Sequence, residues 1–389
     1  MAPCTFHHAI KWLLYGCIAS HVLKKAQGIA PRWSWETVMP FFHSCNETGL
    51  WSDEALDVIS KFPMVTVEKG QGFLSNSSGY AEDHIIAQLA AVKARDPTIQ
   101  TVFYMNSVLN WFFYALAKEY ENIPAYWLYD STTHKPVRSK GDRAFQPQPS
   151  EGMLVFNHAI PAVRSLWKDV CYNAVNSGVV DGCFADSSFP DSKHTYTHLN
   201  ASDRAAFEAG KVITNADITR KFGGEPGKPY PQNATGVLIG KRPDQKGINA
   251  IQIEDFEANE EHIQILLEAV AHGYLVQVHV SLKVEYSVTC GCSCITNELA
   301  AFLIGMGKYS YFGYGTWISP NLADVKSRWC PDFFTRPLGK PLGSSTRYAN
   351  GIWRRSFSLG TNVTFDANTN KGTIDWAGPP AEVATTARY

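Results

Sequence analysis

No glycine-rich phosphate loop follows any strand-like segment of this sequence, and its one cysteine cluster has no second ligand pair at zinc-site spacing. No apolar run is long enough to span a bilayer. Neither sign of charge is in excess: 35 Lys and Arg against 36 Asp and Glu leave a net charge of −1 and a pI near 6.9. That balance removes the electrostatic case for nucleic acid or an anionic membrane as partner. Charged residues are only 18% of the 389, and hydrophobic ones are 45%, which fills a core and excludes a disordered chain. The length suits one large domain with appendages, or two ordinary domains.

What is plentiful is aromatic. Rings make up 13% of the chain, with 11 Trp and 17 Tyr. Such rings serve carbohydrate sites as stacking platforms, and large cores use them too. Trp111, Trp127 and Trp317 are the platform candidates, with core as the plainer role for each. Trp12–Ala19 is an apolar run of signal-peptide size, and small residues at Ala26–Gly28 suit cleavage. Residues 1–28 therefore read as a secretory leader, although His21, Lys24 and Lys25 put charge where such leaders avoid it. Five Asn-x-Ser/Thr sequons (Asn46, Asn76, Asn200, Asn233, Asn362) favour the same extracellular route. Of nine cysteines, Cys4 and Cys17 would leave with the leader. The run Cys290-Gly-Cys292-Ser-Cys294 reads as disulfides within its loop or as free thiols, because Cys330 alone does not complete a metal site.

Strand-like segments recur at Met64–Gly70, Thr101–Asn106, Ala125–Tyr129, Val179–Ser188, Gly236–Gly240, Asn249–Asp255, Tyr274–Val280 and Tyr309–Phe312. Residues 29–60 read as an irregular cover and Ser131–Gly152 as a polar loop or insertion. Helical patterns lie between most neighbouring strands. One carries Ile85, Leu89 and Val92 on a single face and stops at Asp96-Pro97; another opens at Pro161 and closes at Gly178. Alternation at this spacing predicts a parallel sheet, and eight units predict a closed α/β (β/α)8 TIM barrel over 29–335. A doubly wound open sheet is the alternative. Beyond Trp353 the pattern becomes a β-hairpin around Asn368–Gly372, which makes 336–389 a small β appendage.

Barrel chemistry sits at the carboxyl ends of strands. Those ends supply Glu68 and Lys69, Tyr104 and Asn106, Asp130, Asp186, Glu254 and Asp255, Gln277 and His279, and Tyr311. The set is rich in carboxylates and hydroxyls, and it offers no histidine cluster for a metal. No metal or other cofactor is expected. Strand alternation sends Glu254 and Asp255 to opposite sides, so at most one of them points inward. Two carboxylates flanking a bond are what glycoside hydrolysis needs. Asp186 and Glu254 are the catalytic candidates, and the rest are candidates for substrate contact. Each has a plainer role: Asp186 could cap the turn that follows it, Glu254 could stand at a helix N-terminus where acids suit the dipole, and His279 could be a core histidine.

The segment Phe156–Trp167, with Pro161-Ala-Val-Arg164 at its centre, followed by Asp181-Gly-Cys-Phe-Ala-Asp186, resembles the N-P-x-V-R-x-x-W … D-G-x-F-x-D pattern of glycoside hydrolase-like TIM-barrel families. The closing segments around Leu338–Gly343, Trp353–Phe357 and Asn362–Asp366 are similar to theirs. The resemblance covers about residues 60–376. It implies a retaining hydrolase of oligo- or polysaccharides, with Asp186 on strand four as nucleophile and Glu254 on strand six as acid/base. Asn157-His158 departs from the family pattern. A barrel that binds carbohydrate without turning it over, and a lyase using Glu68/Lys69 and tyrosines, remain the alternatives.

Overall fold

Eight short parallel strands carry the architecture of the computed structural model, which describes residues 31–75, 78–141, 145–187, 197–241, 244–281 and 291–381. Chain order gives β1 (Phe42–Ser44), β2 (Met64–Val67), β3 (Gln100–Asn106), a small antiparallel pair β4 (Arg138–Ser139) and β5 (Met153–Leu154), then β6 (Gly182–Asp186), β7 (Val237–Ile239), β8 (Ala250–Ile253), β9 (Leu275–Ser281) and β10 (Ser310–Gly315). Strands β1-β2-β3-β6-β7 form one parallel sheet and β8-β9-β10 another. The outer edges of the two sheets meet on both sides. Gly240 bridges Ile251, with the Gln252 N–H donating to the Gly240 carbonyl at 2.8 Å. Pro40 bridges Phe312, whose N–H donates to the Met39 carbonyl at 2.9 Å.

The helices are α1 (Asp53–Ile59), α2 (Ala81–Arg95), α3 (Ala115–Tyr120), α4 (Pro161–Asn176), α5 (Ala201–Lys221), α6 (Glu260–Ala271), α7 (Thr296–Gly305), α8 (Leu322–Lys326) and α9 (Pro331–Phe334). Their ends follow local chemistry. Pro161 opens α4, where its missing N–H costs nothing, and Gly178 follows the helix at φ 80°. Asn200 and Asn259 cap α5 and α6 by accepting the backbone N–H of Asp203 and His262. The stripe Ile85, Leu89, Val92 of α2 is buried as its spacing predicts. Among the described residues no helix lies between β7 and β8.

Two elements differ from the sequence expectation. Residues 125–129 form no strand: Pro124 starts a 3-10 turn, and Trp127 and Tyr129 make isolated bridges to Phe156 and Pro136. A short apolar run buried under a loop looks the same in sequence as a buried strand. The strand that was missed is β1, three residues long and inside the stretch read as irregular. The two differences cancel in the count, so Asp186 still ends the fourth parallel strand in chain order.

The chain closes with an antiparallel sheet of β11 (Thr346–Arg347), β12 (Ile352–Ser356), β13 (Asn362–Asp366) and β14 (Lys371–Asp375). It covers α7. The Gly372 N–H donates to Asn297 Oδ1 at 3.0 Å, and a Cβ on Gly372 would come within 2.3 Å of Ala300 Cβ. Arg355 donates to the carbonyls of Leu303, Ile304 and Met306, at 3.1, 3.1 and 2.6 Å, and so satisfies the helix's last turn. Covered in this way, α7 is buried from Leu299 through Gly305.

Disulfides join Cys171 to Cys183, tying α4 to β6, and Cys292 to Cys330. Cys330 is thus the partner of a cluster cysteine, and that bond leaves the loop. Among the described residues no helix is long and apolar enough to cross a membrane, and no group of three His, Cys, Asp or Glu side chains could hold a metal ion. The leader segment, Ser188, Cys290 and the Asn76 sequon lie outside the described residues.

Candidate active site

β3 and β6 run in register with Asn106 opposite Asp186 at their carboxyl ends. Tyr104 and Asn106, two residues apart, turn to one side of β3. The Tyr104 hydroxyl donates to Asp186 Oδ2, and Asn106 Nδ2 donates to the same oxygen at 2.7 Å. Ser107 holds the Asp186 carbonyl through its N–H (2.8 Å) and its hydroxyl (2.7 Å). Ser187 sits at φ 56°, and buried Lys211 from α5 donates to its carbonyl. The carboxylate is therefore fixed from both sides before any ligand arrives.

Lys241, two residues past the end of β7, completes the arrangement. Its ammonium lies 2.5 Å from Asp186 Oδ1 and 2.6 Å from Glu254 Oε2, so one cation joins the ends of three strands. The environments of the two acids differ. Burial alone would raise the Asp186 pKa, but Lys241, Lys69 and the Tyr104 hydroxyl hold it below the usual carboxylate range. Burial raises the Glu254 pKa, Lys241 offsets part of that, and the Asp186 charge pushes it up again. Burial would lower the Lys241 pKa, yet its two carboxylate partners raise it. At neutral pH the site thus favours an ionised Asp186 beside an acid that keeps its proton longer.

Glu68 and Lys69, at the end of β2, form a buried ion pair at 2.9 Å. The Lys69 ammonium also lies over the rings of Phe145, Tyr104 and Trp111 at 4.5, 4.6 and 5.2 Å. Burial, countered by Lys69 and reinforced by Asp186, raises the Glu68 pKa to about 7. Below them His43 of β1 bonds Gln252 Oε1 through Nδ1 at 3.0 Å, and burial lowers its pKa to about 3.

The remaining strand-end candidates are elsewhere. Asp255 is exposed in the turn that follows β8, at φ 51°, while Glu254 beside it meets Lys241. Asp130 ends no strand; it accepts the N–H of Thr132 and Thr133 and pairs with His198 at 3.1 Å, pinning the excursion to the segment before α5. Tyr311 belongs to the amino end of β10, which runs three residues further than expected, and its hydroxyl donates to the Arg32 carbonyl at 3.1 Å. Gln277 donates to Met64 Sδ, at the first residue of β2, so it too faces the amino-end layer. His279 is buried against Trp317 and touches neither carboxylate. Trp111 and Trp127 are core residues.

Lys241 and His43 went unread in the sequence. Lys241 could have been found, since it directly follows Gly240 at the end of a recognised strand. His43 could not, because its strand is too short to see.

A family model described as hypothetical glycosyl hydrolase family 15 matches residues 93–361. No functionally curated protein matches the sequence. Among solved structures, the galactosidase domain of an alpha-galactosidase–sucrose kinase, AgaSK, matches with a TM-score of 0.50 at 11% identity, over 84% of this chain and 46% of that one. The GH36 alpha-galactosidase AgaA from Geobacillus stearothermophilus in complex with stachyose gives 0.49 at 12% identity, over 86% and 48%. A cycloalternan-degrading enzyme from Trueperella pyogenes with a covalent intermediate gives 0.44 at 14%, over 75% and 43%. The chain spans about half the length of these structures or less, and at such identities the likeness to the first is one of fold.

Proposed function

The chain belongs to hypothetical glycosyl hydrolase family 15, and from that premise we propose that it cleaves a glycosidic bond with Asp186 as nucleophile and Glu254 as general acid and base. The carrying observation is the Lys241 ammonium touching one oxygen of each acid, at 2.5 and 2.6 Å. Two oxygens held by one nitrogen at those distances are at most about 5 Å apart, a close approach that supports the retaining course over the inverting one.

In this reading Glu254 protonates the departing glycosidic oxygen while an Asp186 oxygen attacks the anomeric carbon. An alcohol leaves and a glycosyl ester remains. Glu254, now a carboxylate, takes a proton from a water whose oxygen attacks the same carbon, and Asp186 departs. Tyr104 and Asn106 stabilise Asp186 as a leaving group in that second step. The raised pKa of Glu254 and the depressed pKa of Asp186 support this division of labour.

We infer further that the eight strands close into a (β/α)8 barrel over residues 29–335, with 336–389 as a β appendage. The bridges at Gly240–Ile251 and Pro40–Phe312 support closure, since they link the outer strands of both sheets. The disulfides Cys171–Cys183 and Cys292–Cys330 support a secreted protein. The substrate is an oligo- or polysaccharide. Alpha-galactosides are the first to try, because the structural relative at a TM-score of 0.50 is named for that activity.

The test is hydrolysis of a panel of alpha- and beta-glycosides by the wild type and by Asp186→Asn, with the first-formed anomer read by NMR. Retention in the wild type and loss in the variant are expected. Inversion, or an unimpaired variant, would overturn the assignment.

A further inference from the structure

Of the three tryptophans that sequence offers as sugar platforms, only Trp317 is partly exposed, and its surroundings hold it like a shelf. It lies two residues past the end of β10. The imidazole of His279 stacks beneath it, with ring centroids 4.1 Å apart and planes 18° from parallel. His43 approaches at 5.0 Å and 66°. With His43 and His279 6.3 Å apart, the three centroids make a near-right angle at Trp317. His43 therefore meets the indole's edge, and the face opposite His279 takes no ring contact among the described residues.

The indole is partly exposed and also packs against the hydrophobic core. His279 beneath it is a fully interior residue of β9, and Trp317 itself stands just past the carboxyl end of β10. That end, the mouth, also holds the carboxylates: the His43 ring lies 6.2 Å from that of Tyr104, whose hydroxyl donates to Asp186. Backbone bonds hold the loop in place. The Cys45 N–H donates to the Trp317 carbonyl at 3.0 Å, the Ser319 N–H donates to the Cys45 carbonyl at 2.8 Å, and buried Arg328 donates to the carbonyls of Thr316 and His43. Burial, reinforced by the nearby Arg328 guanidinium, keeps both imidazoles neutral near neutral pH.

We propose that Trp317 is a substrate-binding platform, its free face stacking on the apolar C–H face of a pyranose ring at the mouth that holds Asp186 and Glu254. The proposal rests on the glycosidase reading and adds its first recognition element. A rigid, pre-placed aromatic surface costs little ordering entropy when the sugar arrives. The chemistry it selects is a hexopyranose with an unsubstituted apolar face.

The test measures binding and turnover separately. Stachyose and methyl alpha- and beta-pyranosides of galactose, glucose and mannose are titrated against Asp186→Asn, with and without Trp317→Leu or Trp317→Phe, by calorimetry and tryptophan fluorescence. Expected are a Kd weakened about tenfold by Leu and much less by Phe, and a blue-shifted tryptophan emission on binding that Trp317 variants lose. The same substitutions in the active chain should raise KM more than they lower kcat. Unchanged Kd and KM in a folded Trp317→Leu chain, while sugars are still hydrolysed, would overturn the platform alone. If no sugar binds or is cleaved by the wild type, the glycosidase reading falls with it.

Discussion

At the carboxyl ends of the strands five ionisable side chains, Asp186, Glu254, Lys241, Glu68 and Lys69, meet among aromatic rings. At the amino ends Phe41, Met64, Tyr230, Val237 and Tyr311 lie in an apolar cluster, where the Tyr230 and Tyr311 hydroxyls donate to the carbonyls of Gly236 and Arg32. Both ends are buried, yet only one spends folding energy on desolvating charge. Burying ions is unfavourable unless each has partners, and here the partners are one another. Removing any one member takes a partner from its neighbours, so the mouth trades stability for reactivity while the floor does the reverse.

The sharpest break in that contrast is Asp186→Asn, expected to cost at least about 10³-fold in kcat/KM while leaving the fold in place, as read by initial rates and circular dichroism. Glu254→Gln should cost about 10²–10⁴-fold on substrates with poor leaving groups and far less on activated aryl glycosides, which need no proton. Equal losses on both substrate types would remove Glu254 from the acid role.

Lys241→Met addresses the charge balance. Lys241 lowers the pKa of both acids, so its loss should move both limbs of a bell-shaped rate profile to higher pH, with about a tenfold drop in kcat. A profile that stays put would reduce Lys241 to a spectator. Smallest of all is Tyr311→Phe on the floor. It should leave kcat/KM unchanged and cost about 1 kcal/mol of stability for its single hydrogen bond to Arg32, measured by denaturant midpoint. A loss of activity there would erase the distinction between the two ends.

Tyr311 and Gln277 also show where reading from sequence stops. Both were placed at the mouth because they stand near the apparent ends of their strands, and both belong to the floor. β10 extends to Gly315, and a strand's carboxyl end is set by where its ladder of hydrogen bonds stops, which depends on the neighbouring strand. Asp130 failed for a related reason: its apolar run is covered by an excursion and pairs with no parallel neighbour. Asp186, by contrast, was legible. Its strand is bounded by Gly178 and ends in a carboxylate that an apolar run gives no reason to expect.

The alternation of short strands and helices and the choice of Asp186 and Glu254 as candidate acids are properties of sequence alone. Each follows from local periodicity or from the two-residue repeat of a strand. That Lys241 stands between the two acids, that His279 is a support for Trp317, and that Cys292 bonds Cys330 were decided only by the tertiary structure. These relations join residues between 13 and 55 positions apart in the chain, and no local repeat encodes which distant strand or loop will lie beside which. The stretch ending in Asp186 supplies a carboxylate; the neighbouring strands decide that it stays ionised and what stands across from it.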